Sequence, residues 1–368
     1  MCTDVARRPI DFSAVDERGQ LSAPGRLEAD TVVVPDPPRI PDQPLGELAA
    51  EHELQLSGAR PPLGRYVAAL WQRRHFIIGY ATARNVSMYT EARLGQLWQV
   101  LTPLLNALVY YLIFGLLFGA KRGVTHYPAF LLAGVFVFAF TERSIVTGST
   151  VMRVNLQLIR ALYFPRASLP LAYVLVELQQ MLVGMGVLVI VMLVSGEGLS
   201  YYWLLAIPAI ALQTLFNTGA ALIVARMGGS MQDVSELIPF FLRISRYFCG
   251  VMYLIITLPA TLTTWEKQVL SLNPAAVYIS LVRVAFMSTY RNDSAGNKPY
   301  NEMLCNQFLH NPGGYIPGTH QPNNSLQAYC HAIVTNNDLW VAAVGWGVGF
   351  IVIGIIFFWQ AESKYGRG

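Results

Sequence analysis

Residues 89–119 read YTEARLGQLWQVLTPLLNALVYYLIFGLLFG, and the fold turns on how this stretch is interpreted. Its first part is polar and carries Arg93. From Leu97 onward it is apolar and uncharged for about one bilayer thickness of helix. Trp98 stands at the junction, where an amphipathic ring prefers the membrane–water boundary. The pattern predicts a segment near a membrane surface that turns into the bilayer around Gly95 and Pro103.

Composition agrees with that reading. The chain is 54% hydrophobic and only 13% charged, against about 25% charged in soluble domains. A net charge of +4, without a Lys/Arg block, gives no reason to expect a nucleic-acid partner. The first 60 residues contain no apolar signal-peptide core, and a cytoplasmic N-terminus is expected.

Outward from the opening stretch, residues 1–60 are rich in proline and acidic side chains (VVVPDPPRIPDQP at 32–44) and predict a disordered cytoplasmic tail. Residues 61–96 form an amphipathic interface region. Leu70, Trp71, Phe76, Ile77 and Tyr80 can share one helical face there, with Arg73, Arg74 and Arg84 elsewhere, which suits the anionic inner leaflet and its lipids.

Residues 97–368 hold six apolar runs, at 97–119, 127–147, 169–195, 201–225, 238–258 and 338–360. The expected fold is an all-α membrane protein of six transmembrane helices. Arg143, Arg153, Arg160, Arg166, Arg226, Lys364 and Arg367 fall on the side shared with the N-terminal arginines, so both termini are expected to be cytoplasmic. Gly345 and Gly349 form a GxxxG expected to serve as a close-packing face. The run within residues 269–287 is too short to span, yet too apolar for water. It predicts outer re-entrant helices between spans five and six. Cys305 and Cys330 share the outer loop, and a disulfide between them is expected from that compartment.

Chemistry is sparse. The sequence has no GxxxxGK[ST] phosphate loop, no HExxH and no CxxC, and its six histidines are dispersed. No catalytic residue, metal ligand or bound cofactor is expected. Glu177 lies inside span three, and its expected role is a helix-packing hydrogen bond. Arg243 and Arg246 are expected to snorkel to the inner surface.

Four segments together resemble the permease subunit of ABC exporters for lipid-linked polysaccharides, the O-antigen, teichoic-acid and galactan exporter family. They are Tyr89 with Leu94-Gly95-Gln96-Leu97-Trp98 and Pro103; NLQLIRALYFPRASLPL at 155–171; Gln232-Asp233; and Leu272-Asn273-Pro274 with Tyr278 and Arg283. Two positions depart from the family pattern: Gln232 replaces its usual Arg, and Cys249-Gly250 stands where many relatives have Ser-Pro.

The resemblance implies export of a lipid-linked glycan across the plasma (inner) membrane. It further implies a homodimer of this chain bound to two copies of a separate ABC ATPase, which holds the ATP and Mg. A channel lined mainly by spans one and five follows, with Tyr110, Phe114, Phe240, Arg243 and Tyr247 as its expected wall. The inner loop is expected to dock on the ATPase through Asn155, Leu156, Ile159, Arg160, Tyr163, Phe164 and Arg166, with Leu156, Ile159 and Tyr163 on one helical face. Three rival readings are an ABC exporter of small lipophilic molecules, an ion-coupled secondary transporter and a membrane-bound glycosyl- or acyltransferase. The second needs titratable residues clustered in mid-membrane, and the third a convergent acid–base set.

Overall fold

The computed structural model describes residues 62–90, 94–95, 97–117, 126–161, 164–194, 196, 198, 200–253, 255, 264–287 and 336–361. The N-terminal tail, Tyr163 and the Cys305–Cys330 pair lie outside them. The described residues are helical, with no strand among them.

Two helices come first, α1 (Leu63–Gln72) and α2 (Arg74–Ser87), broken only at Arg73. Their buried residues, Tyr66, Leu70, Ile77 and Ala81, recur at helical spacing and face the bundle. Trp71 instead points outward and Phe76 is only partly covered, so the apolar residues divide between two faces.

The stretch at 97–117 behaves as its sequence requires. Gly95 takes φ 51, the left-handed conformation that turns the chain before the helix. α3 (Leu97–Tyr110) follows and continues as a π-helical stretch over Tyr111–Leu117. The remaining elements are α4 (Tyr127–Val154), the short α5 (Leu156–Ala161), α6 (Ser168–Val194), α7 (Ala206–Ser230, entered by a 3-10 turn at Tyr201–Leu205), α8 (Gln232–Phe248), α9 (Thr264–Leu272), α10 (Pro274–Phe286) and α11 (Asn336–Ala361).

Five segments among the described residues are long and apolar enough to cross a membrane: Leu97–Leu117, Tyr127–Val154, Ser168–Val194, Tyr201–Ser230 and Asn337–Ala361. The run expected as a fifth span at 238–258 is divided. α8 starts earlier and stops at Phe248, because the chain turns at Cys249-Gly250, with Gly250 at φ 64. Counting apolar residues across that turn joined two pieces that the backbone keeps apart. Helix α4 ends at Val154, seven residues beyond the expected limit at 147.

Helix α4 is the centre of the bundle. Phe130, Phe136, Phe138 and Phe140 are buried, and α6, α7 and α10 surround them. Helix α10 is apolar and short. Asn273 caps it by accepting from the Ala275 N–H at 3.1 Å, and Pro274 sits in its first turn. Tyr278, Val277 and Val282 of α10 are fully buried, and the Tyr278 hydroxyl donates to the Ala343 carbonyl of α11 at 2.9 Å.

Helices α7 and α11 meet backbone to backbone. A Cβ on Gly219 would fall on the Phe350 carbonyl, and one on Gly354 would meet the Gly219 backbone. The expected GxxxG pair, Gly345 and Gly349, meets nothing within 4 Å among the described residues; at this seam the close approaches are made by Gly219, Gly354 and, against the Leu212 carbonyl, Gly347.

Candidate functional site

Three consecutive residues of α4 reach three different neighbours, because each residue turns about 100° around a helix. The Thr141 hydroxyl accepts from Gln213 of α7. The Glu142 carboxylate accepts from Arg246 of α8 and pairs with it. Arg143 reaches α6, where its Nε lies 3.5 Å from Glu177 Oε2 and its guanidinium donates to Gln180 Oε1 at 2.6 Å.

Around Glu142 lies a cleft of about 140 Å³ between α3, α4 and α8. Thr102, Asn106 and Tyr110 of α3, Phe138, Glu142 and Arg143 of α4, and Arg246 of α8 line it. Arg246 also donates to the Tyr110 hydroxyl and lies over the Phe138 ring, 5.4 Å from its centroid. One guanidinium thus joins all three helices at the cleft.

These positions revise the expected roles. Arg246 does not snorkel away; it turns into the cleft, while Arg243 is exposed. Glu177 has a charged partner, which the sequence hid because Arg143 was counted among the inner-side arginines that set the orientation. The pair Glu142–Arg246 was not anticipated. The adjacent opposite charges at Glu142-Arg143, inside an apolar run, were the available signal.

The five expected channel residues are not brought onto one wall within a single chain. Tyr110 lines the cleft and Phe114 is half-buried against the core, while Phe240 and Tyr247 are 56% and 50% exposed. The π-helical stretch begins at Tyr111.

The C-terminal turn of α8 exposes backbone that a membrane interior would not tolerate unpaired. Arg283 of α10 satisfies it, donating to the Gly250 carbonyl at 2.8 Å and the Val251 carbonyl at 2.7 Å. It also lies 3.4 Å from the centroid of the Phe130 ring. The Tyr127 hydroxyl donates to the Met252 carbonyl at 2.8 Å. Arg283 entered the sequence argument only as part of a motif; here it fixes the bend that ends α8.

At the other end of α4, Asn155 breaks the helix and α5 follows. Asn155 Nδ2 donates to the Val151 carbonyl at 2.8 Å and to the Tyr173 hydroxyl at 3.2 Å; its Oδ1 accepts from Tyr80 at 3.0 Å. Burial first, and the neighbouring Tyr173 hydroxyl second, raise the Tyr80 phenol above the usual tyrosine range, so it stays a donor. Ile159 is buried among Tyr66, Leu70 and Phe164, whereas Leu156 and Arg160 are exposed. Leu156 and Ile159 therefore do not present a common surface. Phe164 is buried and Arg166 half-buried.

An amide chain links the same region to the base of α3. Gln99 donates to Asn85 at 3.2 Å, Asn85 to Gln179 at 3.1 Å, and Gln179 to Thr82 at 3.0 Å. No cluster of metal-ligating side chains occurs among the described residues.

Five apolar spanning helices, with ion pairs held inside the bundle, define a multi-pass membrane protein. Residues 78–287, more than half of the chain, match the ABC-2 type transporter family, and the chain belongs to it. It is 29% identical over 201 residues to an O-antigen export system permease protein RfbA of Klebsiella pneumoniae, covering 54% of this chain and 75% of that one. A second Klebsiella pneumoniae protein of the same name is 28% identical over 205 residues, covering 55% and 77%. The protein of that name from Myxococcus xanthus is 21% identical over 222 residues, covering 60% and 84%.

Proposed function

We propose that this chain is the membrane subunit of an ATP-driven ABC exporter that carries a lipid-linked polysaccharide of O-antigen type across the inner membrane. The observation that carries the reading is the similarity to O-antigen export permeases over about three quarters of their length. Two copies of the chain assemble with two copies of an ABC ATPase. ATP and Mg belong to that partner, which supplies the work, so the permease acts as a transport subunit without catalysis of its own.

In this reading α8 and the turn at residues 249–253 form a broken fifth span, giving six in all. Helices α9 and α10 are re-entrant from the outer face, α1 and α2 lie at the cytoplasmic interface, and both termini are cytoplasmic. The exposed aromatic side chains Phe240 and Tyr247 of α8, with Tyr110 at the cleft, border the conduit once the second copy is in place. Ring faces offer a sliding sugar chain many weak, equivalent stacking sites. The exposed side of α5 meets the ATPase, and Asn155 passes its motion to α2 and α6.

Ion-coupled transport fits less well. It would use titratable groups clustered in mid-membrane, and Glu142 and Glu177 instead meet different arginines on different helices. The test is depletion of the chain in cells. Lipid-linked glycan should accumulate on the cytoplasmic side, and unchanged surface glycan would overturn the proposal.

A further inference from the structure

The interface between α4 and α7 contains buried polar atoms that no group among the described residues satisfies. Ser144 Oγ, Gln213 Oε1 and both amide atoms of Asn217 are buried and without a hydrogen-bond partner among the described residues. The three residues are at most 1% exposed. Gln180 Nε2 of α6 is in the same condition.

Register brings the first three together. Gln213 Nε2 donates to the Val137 carbonyl at 2.8 Å and to Thr141 Oγ1 at 3.0 Å. A Cβ on Gly148 would lie 3.0 Å from Ala221. Both helices run the same way through these two contacts. Asn217, midway between Gln213 and Ala221, therefore falls level with Ser144, midway between Thr141 and Gly148. The amide orientation of Gln213 is fixed, because the Val137 carbonyl can only accept; Oε1 must face the other way.

The character of these atoms selects the ligand. An apolar occupant would leave every one of them unsatisfied. A cation would serve the oxygens but not Asn217 Nδ2, which needs an acceptor. Water both donates and accepts. We propose that the α4–α7 seam is a binding site for internal water, held by Ser144, Gln213 and Asn217. At about three hydrogen bonds per buried water, these atoms suit about two molecules. The site stands apart from the Glu142 cleft and does not depend on what the exporter carries.

The test uses the full permease–ATPase complex in lipid nanodiscs. A map that shows ordered water elsewhere in the spans should show density within hydrogen-bond reach of Asn217 and Ser144. Asn217→Leu should lower Tm by about 3 °C, because the leucine expels water on which Ser144 and Gln213 depend. Adding Ser144→Ala should return part of that loss. Should Asn217→Leu not fold, Ser144→Ala alone is read, and it too should lower Tm. The assignment is overturned by an empty seam in such a map, or by either single substitution raising Tm, the sign of a dry site relieved of an orphan. A rise in Tm with sodium over choline at equal ionic strength would overturn it in favour of a cation.

Discussion

The α7–α11 interface and the α3–α8 flank are built on opposite terms. Helix α7 meets α11 through glycine, with backbone against backbone, and Arg226 ties their C-terminal ends by donating to the Phe357 carbonyl. Across the bundle, α3 buries only Gln99, Pro103 and Ala107, and α8 only Ser235. Polar bonds at the cleft join its two helices to α4, and Leu105, Leu108, Phe240, Phe241 and Tyr247 stay exposed. A transporter needs both kinds of contact: one that holds its shape and one that can be exchanged for another chain, a lipid or a substrate.

Breaking the rigid side should have the largest effect. Gly219→Val places two methyl groups in the Phe350 backbone and should cost about 3 kcal/mol or more, read as loss of a monodisperse detergent peak. Gly349→Val meets nothing within 4 Å among the described residues. It should leave Tm unchanged, and a loss of export at constant Tm would show that this face serves a partner.

Next in size is α5. Ile159→Asp buries a charge among apolar side chains and should destabilise by about 3 kcal/mol. Leu156→Asp should spare Tm and reduce copurification of the ATPase. Undiminished ATPase binding in that variant would remove the exposed side of α5 as the docking surface.

The cleft comes third. Arg246→Leu leaves Glu142 partly buried without its partner and should cost about 2 kcal/mol, below the range for fully buried pairs because both side chains are about one-fifth exposed. The double variant Glu142→Leu/Arg246→Leu should recover most of that loss, and a chemical-denaturation cycle of the four proteins measures the coupling.

The smallest effect on stability belongs to the exposed aromatics. Phe240→Ala with Tyr247→Ala should change stability by no more than about 0.5 kcal/mol each, yet cut glycan export in reconstituted vesicles. Normal export in that variant would place the conduit on another face.

Much of this contrast was legible in sequence where a local rule governs it. The apolar run from Leu97, the turn at Gly95 and the capped start of α10 at Asn273-Pro274 follow from length, φ preference and capping chemistry. What stayed hidden depends on tertiary partners. Arg143 and Arg246 look like inner-face anchors until the longer α4 brings Glu142 and Glu177 beside them. The end of α8 depends on Arg283, far along the chain, satisfying two carbonyls. The tight glycine contact involves Gly219 and Gly354, which form no motif together in sequence.

The backbone contact at Gly219 also gives the molecule an internal ruler. Spin labels or fluorophores placed on the outward faces of α7 and α11 should report one distance throughout a transport cycle, since the two backbones already touch at Gly219 and Phe350 and can come no closer, while parting them would open a void along the seam. A third label on α8 can then be triangulated against that fixed baseline. Movement of the flank becomes separable from tumbling or bending of the whole bundle.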